Sequence, residues 1–371
     1  MKRRAEIVGA GFAGLAAACA LAQRGWSVRV HERADALRTT GAGIYVYENG
    51  LRVLETLGAY AEAVESAPPA STREVRDDHN RTVAVHRWKG DSRVFSIVRQ
   101  QVINALAAAA RRHGAEIITS SEGIAATRDG TLMLANGERV AADLIVAADG
   151  VNSQIRDGLG LLAKRRALAD GAIRVLIDNE PDDRANRSTT IEYWSGSRRI
   201  LYTPCSQDKL YVALTMLHSD AAAREVPLRK DDWKRSFPHL SALIDRIGDE
   251  GRYDRFSLIK LKRWSSGRVV VLGDAAHALP PNIGQGAGCG MMNALSLAYF
   301  LDQHDDMPDA LTAWERAERP LTDHTQRISW FLGWPTTWPP ALRAAFFALA
   351  GRSQWMIRQR TLTALHKPTG T

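Results

Sequence analysis

Three glycines near the start of the chain have the spacing of a dinucleotide-binding turn. Gly9, Gly11 and Gly14 follow a short apolar strand that ends at Val8, and an alanine-rich helix comes after them. Such glycines allow a tight turn, close approach of the backbone to a pyrophosphate, and close packing of helix on strand. The helix N-terminus also offers unpaired N–H groups and the positive end of its dipole to phosphates. We therefore expect a dinucleotide to bind here.

An acidic residue completes this unit. Gly25 ends the helix, a second strand runs from Ser27 to His31, and Glu32 closes that strand. A carboxylate at this position can accept a hydrogen bond from a ribose hydroxyl. A glycine-rich surface loop is the alternative interpretation. The order of strand, glycines, helix, stop and acid favours the binding site.

Two later stretches place aspartate and glycine directly after continuous apolar runs that are typical of buried parallel strands. Asp149 and Gly150 follow the first run, and Gly273 and Asp274 follow the second. Ligands of open α/β sheets bind at the carboxyl ends of such strands. For Asp149, a role as the cap of the following helix is an equally good interpretation from sequence alone.

The second of these stretches continues into a glycine-rich loop and a long helix. Gly284 and Gly286 would let backbone N–H groups face a planar ring, and the helix N-terminus would stabilise an anionic reduced flavin there. Asp274 can hold a ribityl hydroxyl. We interpret His277 as a structural residue rather than a base, because the adjacent dipeptide places it beside the cofactor pyrophosphate.

Composition and charge exclude several classes of function. The 371 residues are 45% hydrophobic and 24% charged, and the net charge of +8 comes from scattered basic residues. Nucleic acid is therefore an unexpected partner, whereas anionic small molecules fit. No apolar run reaches the roughly 18 residues of a membrane span. Cys19, Cys205 and Cys289 have no metal-binding spacing. We expect a cytoplasmic protein without a metal site.

The motifs together resemble one enzyme family. GAGFAG with Glu32, Arg99 at the start of its helix, ADGVNSQIR and GDAAHALPPNIGQG are similar to the flavin-dependent aromatic hydroxylases of the para-hydroxybenzoate hydroxylase type, over roughly the first 320 residues. The resemblance implies FAD, reduction by NADH or NADPH, and molecular oxygen that forms a flavin hydroperoxide and hydroxylates an electron-rich ring. It also implies that the FAD contacts are Gly9, Gly11, Ala13, Gly14, Glu32, Arg33, Arg38, Arg99, Asp149, Gly150, Gly273, Asp274, Pro281, Gly284, Gly286 and Ala287.

Further stretches resemble a subgroup of this family. GAGIYVYENGLRVLETLGA, ILYTPC and QGAGCGMMNA are similar to the oxygenases of 2-methyl-3-hydroxypyridine-5-carboxylic acid, which share Gly288 and Asn293 where the wider family usually has Asn and Asp. The resemblance implies a small aromatic carboxylate as substrate, first of all a hydroxypyridine carboxylate, with or without ring opening. A plain hydroxylase of a hydroxynicotinate-like or hydroxybenzoate-like acid is the alternative. The subgroup has a tyrosine in the region of Arg73, so the substrate need not be identical.

The resemblance also implies which residues face the substrate. Tyr45, Arg199 and Tyr211 occupy substrate-facing positions, and the loop with Pro281 closes part of the pocket. Arg199 could anchor a carboxylate in bidentate geometry, and Arg174 or Arg198 could share or replace it. Because neighbours on a strand point to opposite faces, only one of Arg198 and Arg199 can face the pocket. We find no catalytic base.

The elements that position these residues predict an α/β protein. We expect a Rossmann-like FAD-binding domain assembled from discontinuous segments, an antiparallel-sheet substrate domain, and C-terminal helices. One helix is predicted over 48–64. The expected segments are 1–70, 99–165 and 265–320 for FAD binding, 71–98 and 166–264 for the substrate domain, and 321–371 for the helices.

Other functions and arrangements remain open at this point. A flavin-dependent reductase of an isoprenoid chain would need a long apolar tunnel, and the arginine-rich sheet argues against one. A flavoprotein used for binding or sensing would oxidise NAD(P)H slowly, without stimulation by aromatic ligands. The aromatic-rich C-terminal segment is expected to pack over both domains, and a dimer contact or a lid over the substrate cavity are alternatives. A monomer or a homodimer is expected.

Overall fold

The computed structural model describes residues 2–37, 42–88 and 92–371. Most of the strands that position the site belong to two large sheets, described below. In chain order the strands are β1 (Arg4–Val8), β2 (Ser27–His31), β3 (Gly43–Tyr47), β4 (Thr72–Arg76), β5 (Thr82–Arg87), β6 (Val94–Val98), β7 (Glu116–Ile118), β8 (Gly123–Ala126), β9 (Thr131–Leu134), β10 (Arg139–Ala141), β11 (Leu144–Ala147), β12 (Leu162–Asp178), β13 (Thr189–Ser195), β14 (Arg198–Pro204), β15 (Lys209–Leu217), β16 (Tyr253–Leu261), β17 (Ser265–Ser266) and β18 (Val269–Val271).

The helices alternate with strands in the first part of the chain and follow one another in the last part. They are α1 (Phe12–Gln23), α2 (Glu48–Thr56), α3 (Tyr60–Val64), α4 (Arg99–Arg112), α5 (Gln154–Gly158), α6 (Pro181–Ala185), α7 (Lys230–Ser236), α8 (Ser241–Asp245), α9 (Asp274–His277), α10 (Gly286–Gln303), α11 (Met307–Phe331), α12 (Pro340–Arg352) and α13 (Gln354–Thr361). Short 3₁₀ helices lie at Pro238–Leu240, Pro281–Ile283 and Trp334–Thr337.

A six-stranded sheet forms the centre of the dinucleotide-binding part. Its order is β17-β18-β11-β1-β2-β7, and all pairs are parallel except β17 with β18. Strands β11 and β18 are entirely buried, as expected for apolar runs covered on both faces. Helix α1 is buried along nearly its whole length, because its alanines let it pack closely between the sheet and α10. This confirms the predicted α/β class.

A seven-stranded sheet forms the second large layer. Its order is β16-β12-β15-β14-β13-β4-β5, with antiparallel pairs except for β13 and β4, which are parallel. The 17-residue strand β12 pairs with both β15 and β16 and shifts register between Ala167 and Gly171. Trp233 of α7 and Phe237, which directly follows this helix, are buried and pack against one face of this sheet. The other face borders the cavity described below.

Two smaller sheets and one broken helix complete the connection. Strands β3 and β6 form an antiparallel pair, and β8, β9 and β10 form a separate meander. The prediction of one helix over 48–64 is wrong, because Gly58 adopts a φ of +69° and separates α2 from α3. The alternation of apolar and polar residues over 74–98 also predicts antiparallel strands with a turn at residues 89–90, which lie outside the described residues.

The C-terminal helices pack over both layers. Helix α11 packs against α10 and buries Trp314 completely, and the Trp314 indole donates a hydrogen bond to the Asn293 carbonyl at 3.0 Å. Helix α12 lies against β5, the outermost strand of the seven-stranded sheet. Across residues 2–37, 42–88 and 92–371, no helix is long and apolar enough to cross a membrane.

Candidate active site

The three aspartate- or glycine-containing turns meet at one edge of the parallel sheet. Gly9 follows β1, Asp149 lies just beyond β11, and Gly273 lies just beyond β18. A Cβ atom at Gly9 would lie 2.4 Å from the Ala148 carbonyl oxygen, and one at Gly273 would lie 2.8 Å from the Ala13 Cβ. The turns therefore touch one another, and only glycine permits this approach.

The glycines of the first turn have different surroundings. A Cβ at Gly14 would lie 2.0 Å from the Gly9 carbonyl oxygen, so this glycine allows the helix to pack on the turn. A Cβ at Gly11 would meet no atom within 4 Å. Gly11 thus leaves open space directly before the N-terminus of α1, where a pyrophosphate would accept hydrogen bonds from unpaired N–H groups.

The carboxylate of Glu32 is held by the backbone around it. Its oxygens accept hydrogen bonds from the N–H groups of Ala10 at 2.9 Å and Ala34 at 3.0 Å. Both oxygens keep further lone pairs, so the oriented carboxylate can still accept from a ribose. Of the two nearby arginines in the predicted set, Arg33 is exposed, and Arg38 lies outside the described residues.

Arg156 ties two of the turns together. Its side chain is completely buried, and it donates to the carbonyl oxygens of Val151 at 3.1 Å and Ala275 at 2.9 Å. It therefore joins the turn after β11 to the turn after β18. The Ser153 hydroxyl caps α5 by accepting from the Arg156 N–H at 3.1 Å, which is the role that the sequence left open for Asp149.

Several buried polar atoms around these turns have no partner among the described residues. They include Oδ1 of Asp149, Nε of Arg99 and Nε2 of Gln285. Burial raises the pKa of Asp149, and Ser153 acts in the opposite direction. A buried polar atom without a partner is costly, so a polar ligand that pairs with these atoms would stabilise the site. The donors and acceptors suit the phosphates, ribityl chain and ring edge of FAD.

Arg99 and Asp274 face the same cleft. Burial lowers the pKa of Arg99, and the nearby Asp274 carboxylate opposes this effect. The Asp274 side chain is exposed, but many protein atoms surround it. This partial desolvation raises the pKa of Asp274, and the positive charges of Arg99 and Arg174 oppose the rise. The Arg99 guanidinium carbon lies 4.8 Å from the centre of the Phe12 ring, so a cation–π contact helps to fix the guanidinium group.

The glycine-rich loop before α10 lies between this cleft and a cavity next to the seven-stranded sheet. Gly284 adopts a φ of +63° and approaches the Tyr47 ring, while Gly286 and Ala287 begin α10. Helix α11 holds the loop, since the Asn282 amide donates to the Ser329 carbonyl at 2.9 Å. The loop is therefore fixed by a C-terminal helix that the sequence did not connect with it.

A cavity lies between the seven-stranded sheet and this loop. The structure brings all five predicted substrate-facing residues to its wall: Tyr45, Arg174, Arg199, Tyr211 and Pro281. The Tyr45 hydroxyl shares a hydrogen bond with Thr203, and burial raises the pKa of the phenol, so it is neutral near pH 7. We call this space the ring cavity.

Two arginines and one glutamate form a charged cluster in the wall of the ring cavity. Arg199 donates to Oε1 of Glu192 at 3.1 Å, and Arg73 pairs with the other carboxylate oxygen. Glu192 is 4% exposed. Burial alone would raise its pKa, but the charges of Arg73 and Arg199 and their hydrogen bonds outweigh burial and lower the pKa to about 2. The three side chains of the cluster therefore carry a net charge of +1, and the Asp170 carboxyl group also interacts with Arg199.

The cluster predicts a pH dependence of stability. A glutamate has an ordinary pKa near 4.5, and Glu192 in the folded protein titrates at about 2. A lowered pKa means that the contribution of Glu192 to the free energy of unfolding is complete above about pH 5 and is lost as the pH falls toward 2. Urea unfolding at a series of pH values should show this loss in the wild type and less of it in Glu192→Gln. Equal acid slopes in both proteins would contradict the assignment.

Arg198 and Arg199 occupy opposite faces of β14. Arg198 makes a bidentate contact with Asp220 at 2.8 and 3.1 Å, and its guanidinium lies over the Trp233 ring on the far side of the sheet. Arg199 lies over the Trp194 ring and lines the ring cavity. Of the two neighbours that the sequence could not separate, Arg199 is the one at the cavity.

The unusual Gly288 and Asn293 are explained by buried contacts. A Cβ at Gly288 would lie 3.0 Å from the Gln285 amide oxygen and 3.1 Å from the Asn49 amide nitrogen, and these two side chains hydrogen-bond at 2.9 Å. Asn293 donates to the His277 ring at 3.0 Å, and burial lowers the pKa of His277 to about 4. A neutral, buried His277 agrees with the structural role inferred from its position.

Comparison with known proteins agrees with this geometry. Residues 3–305 match the family described as FAD binding domain. The chain is 41% identical over 359 residues to the 2-heptyl-3-hydroxy-4(1H)-quinolone synthase of Mycobacteroides abscessus, with 94% of this chain and 95% of that protein covered. It is 43% identical over 371 residues to a Rhodococcus erythropolis protein named as a candidate for the same synthase, with 99% and 97% covered.

The fold also matches that of a solved structure. A crystal structure of a variant of 2-methyl-3-hydroxypyridine-5-carboxylic acid oxygenase matches with a TM-score of 0.90 and 37% identity, covering 99% of this chain and 98% of that chain. The resemblance to flavin-dependent aromatic hydroxylases is confirmed. The hydroxypyridine carboxylate substrate that the subgroup implied is not, because highly similar relatives carry the name of a quinolone synthase. The chain belongs to the FAD binding domain family, and it is an FAD-dependent aromatic-ring monooxygenase that uses NADH or NADPH and molecular oxygen.

Proposed function

We propose that this enzyme hydroxylates carbon 3 of a 2-alkyl-4(1H)-quinolone. The observation that carries the proposal is the net positive charge of the Arg73, Glu192 and Arg199 cluster in the wall of the ring cavity. A positive charge of this kind favours the anionic form of a 4-quinolone ring, in which N1 and O4 share the negative charge. The names of relatives that are 41% and 43% identical support the same ring system.

The chemistry of the ring selects the position of attack. In a 4-quinolone, the nitrogen, carbons 2 and 3, and the carbonyl form a vinylogous amide, so carbon 3 is the electron-rich carbon. Bound FAD supplies the reduction of oxygen at the expense of NADH or NADPH, and one oxygen atom becomes the hydroxyl group while the other leaves as water. Loss of the proton from carbon 3 restores the aromatic ring. The products are the 3-hydroxyquinolone, NAD(P)⁺ and water.

The residues of the ring cavity have separate tasks in this proposal. Arg199 and Arg73 stabilise the charge on the ring oxygen, and Glu192 holds both guanidinium groups in place. Glu192 is too weak a base to remove the proton, because its pKa is about 2. The neutral phenol of Tyr45 can donate to or accept from the ring. The Pro281–Ile283 segment closes the cavity toward FAD and helps to exclude water.

A hydroxypyridine carboxylate remains a second candidate. One observation favours it: the Arg199 guanidinium also has the geometry to bind a carboxylate, and Arg174 lies at the same wall. In that case the same positive charge would bind the acid group rather than the ring oxygen. The two candidates therefore differ in whether the substrate needs a carboxylate.

Oxidation of NADH and NADPH by the FAD-loaded protein tests the proposal. The panel contains 2-heptyl-4(1H)-quinolone, 2-methyl-3-hydroxypyridine-5-carboxylate, 6-hydroxynicotinate and 4-hydroxybenzoate, and hydrogen peroxide is measured in parallel as a sign of uncoupled turnover. We expect the quinolone to give the largest stimulation with the least peroxide. Coupled turnover with the pyridine acid alone would support the second candidate. No stimulation by any compound would contradict both.

A further inference from the structure

A second cavity adjoins the ring cavity on the side away from the FAD cleft. It lies between the outer strands β4 and β5 and helices α12 and α13. The two cavities share the wall residues Arg73, Trp88, Glu192, Arg199, Asn282 and Arg360. The two cavities therefore meet at the charged cluster and the Trp88 side chain. We call the second space the apolar chamber.

The lining of the apolar chamber changes with distance from the ring cavity. Near the shared wall it is charged, and beyond that wall most of the lining side chains are aliphatic or aromatic, with His86 and Thr361 as polar exceptions. Strand β5 contributes Ala84 and Val85, and helix α12 contributes Phe347 and Ala350. Val85 is 43% exposed although it is apolar, so its surface is available to an apolar ligand rather than packed in the core.

The chamber owes its space to small residues at the contact of α12 with β5. Ala350 and Gly351 are the small side chains that α12 presents there, and a Cβ at Gly351 would lie 4.0 Å from the Ala84 Cβ. Larger side chains at these positions would fill the space. Met356 and Ile357 of α13 close the opposite side. The chamber thus has room for a slender apolar group between β5, α12 and α13.

From these observations we infer that the apolar chamber binds the alkyl chain of the substrate and sets its preferred length. The inference rests on the proposed function, in which the ring lies in the ring cavity. A 2-alkyl substituent carries no polar group, and the apolar side chains beyond the shared wall match it. Helix α12 then acts as a specificity element, because Ala350 limits how far a chain can extend.

A chain-length series measures this effect. We compare kcat/KM for 2-methyl-, 2-propyl-, 2-pentyl-, 2-heptyl- and 2-nonyl-4(1H)-quinolone with the FAD-loaded wild type. Each methylene that enters the chamber should raise kcat/KM by up to about fourfold, from the transfer free energy of a buried methylene. The rise should stop once the chain fills the chamber. A profile that is flat from methyl to nonyl would overturn the inference.

Two substitutions in α12 distinguish an effect of the chamber on chain-length preference from a general effect on activity. Ala350→Leu should lower the ratio of the heptyl to the methyl kcat/KM by about tenfold, since the added side chain occupies the room of two or three methylenes. Ala345→Leu is the matched control, because Ala345 is an exposed residue of α12 that lines neither cavity. The control should keep the wild-type ratio. Equal ratios in both variants would overturn the inference.

A third variant allows the inference to be tested even if Ala350→Leu does not fold. Met356→Ala enlarges the chamber, so it should move the optimum of kcat/KM to a longer chain. FAD content and thermal unfolding are recorded for every variant. If the methyl quinolone is hydroxylated but chain length has no effect, the inference fails while the proposed function stands. If no quinolone of any length is hydroxylated, the proposed function fails as well.

Discussion

Replacing Gly11 with valine is expected to weaken FAD binding about a hundredfold while leaving the fold intact. A Cβ at this position meets no protein atom within 4 Å, so the folded apoprotein has room for the side chain. The same space lies before the N-terminus of α1, where the pyrophosphate would bind. The valine methyl groups would keep the phosphates from the N–H groups, and losing about two charge-assisted hydrogen bonds corresponds to about a hundredfold.

FAD titration of the apoprotein, followed by quenching of flavin fluorescence, gives the dissociation constant for this test. Gly248→Val is the matched control, because a Cβ at Gly248 also meets open space, but in an exposed loop of the substrate domain. Circular dichroism checks that both variants keep wild-type secondary structure. A folded Gly11→Val variant with a dissociation constant within threefold of wild type would place the pyrophosphate elsewhere.

Replacing Arg199 with alanine is expected to raise the dissociation constant of the substrate by tenfold to a hundredfold. The substitution leaves Arg73 and Glu192 as a neutral pair, so the charged cluster loses its net positive charge. It also removes a charge-assisted hydrogen bond, which contributes about 1.5–3 kcal/mol. The effect should therefore appear for an anionic ring or a carboxylate, and FAD content should stay at the wild-type level.

Arg198→Ala is the natural control for this variant. Arg198 is the neighbouring residue of the same strand, but it pairs with Asp220 on the far face of the sheet. Perturbation of the flavin absorbance on titration with 2-heptyl-4(1H)-quinolone measures binding in both variants. Arg198→Ala should bind like wild type. If Arg199→Ala also binds like wild type, Arg199 does not contact the substrate.

The parts of the site that depend on local spacing were predictable from sequence. Each of these parts is a short motif next to its own strand, so it can be recognised locally. They are the turn with Gly9, Gly11 and Gly14 and the aspartates that follow the apolar strands. Strand alternation likewise required that only one of Arg198 and Arg199 face the cavity. The geometry of each feature is set within a few residues.

The parts that depend on distant pairing were not predictable. Strand β4 lies parallel to β13 with Arg73 beside Thr190, and this register brings Arg73 to Glu192 more than a hundred residues away. Neither residue carries a local signal for that contact. The apolar chamber depends in the same way on where α12 packs. An arginine-rich sheet does not exclude an apolar space, since the charged cluster and the apolar chamber share lining residues.

The stretch around Gly58 shows a third reason why the structure differs from the prediction made from sequence. The apolar positions of 48–64 fit a single helix, but the positive φ of Gly58 ends α2 and redirects the chain into α3. A glycine inside a helical pattern is compatible with both outcomes. Packing of α3 against α4 decides between them, and that contact joins separate parts of the sequence.

The most direct test of the account is the product formed from 2-heptyl-4(1H)-quinolone under ¹⁸O₂. The FAD-loaded enzyme, NADH or NADPH and the quinolone are incubated in unlabelled water, and the product is analysed by mass spectrometry with fragmentation. The account predicts a product that has gained one ¹⁸O atom, located at carbon 3 of the intact ring. A product with two added oxygen atoms and an opened ring, or with oxygen from water, would contradict it.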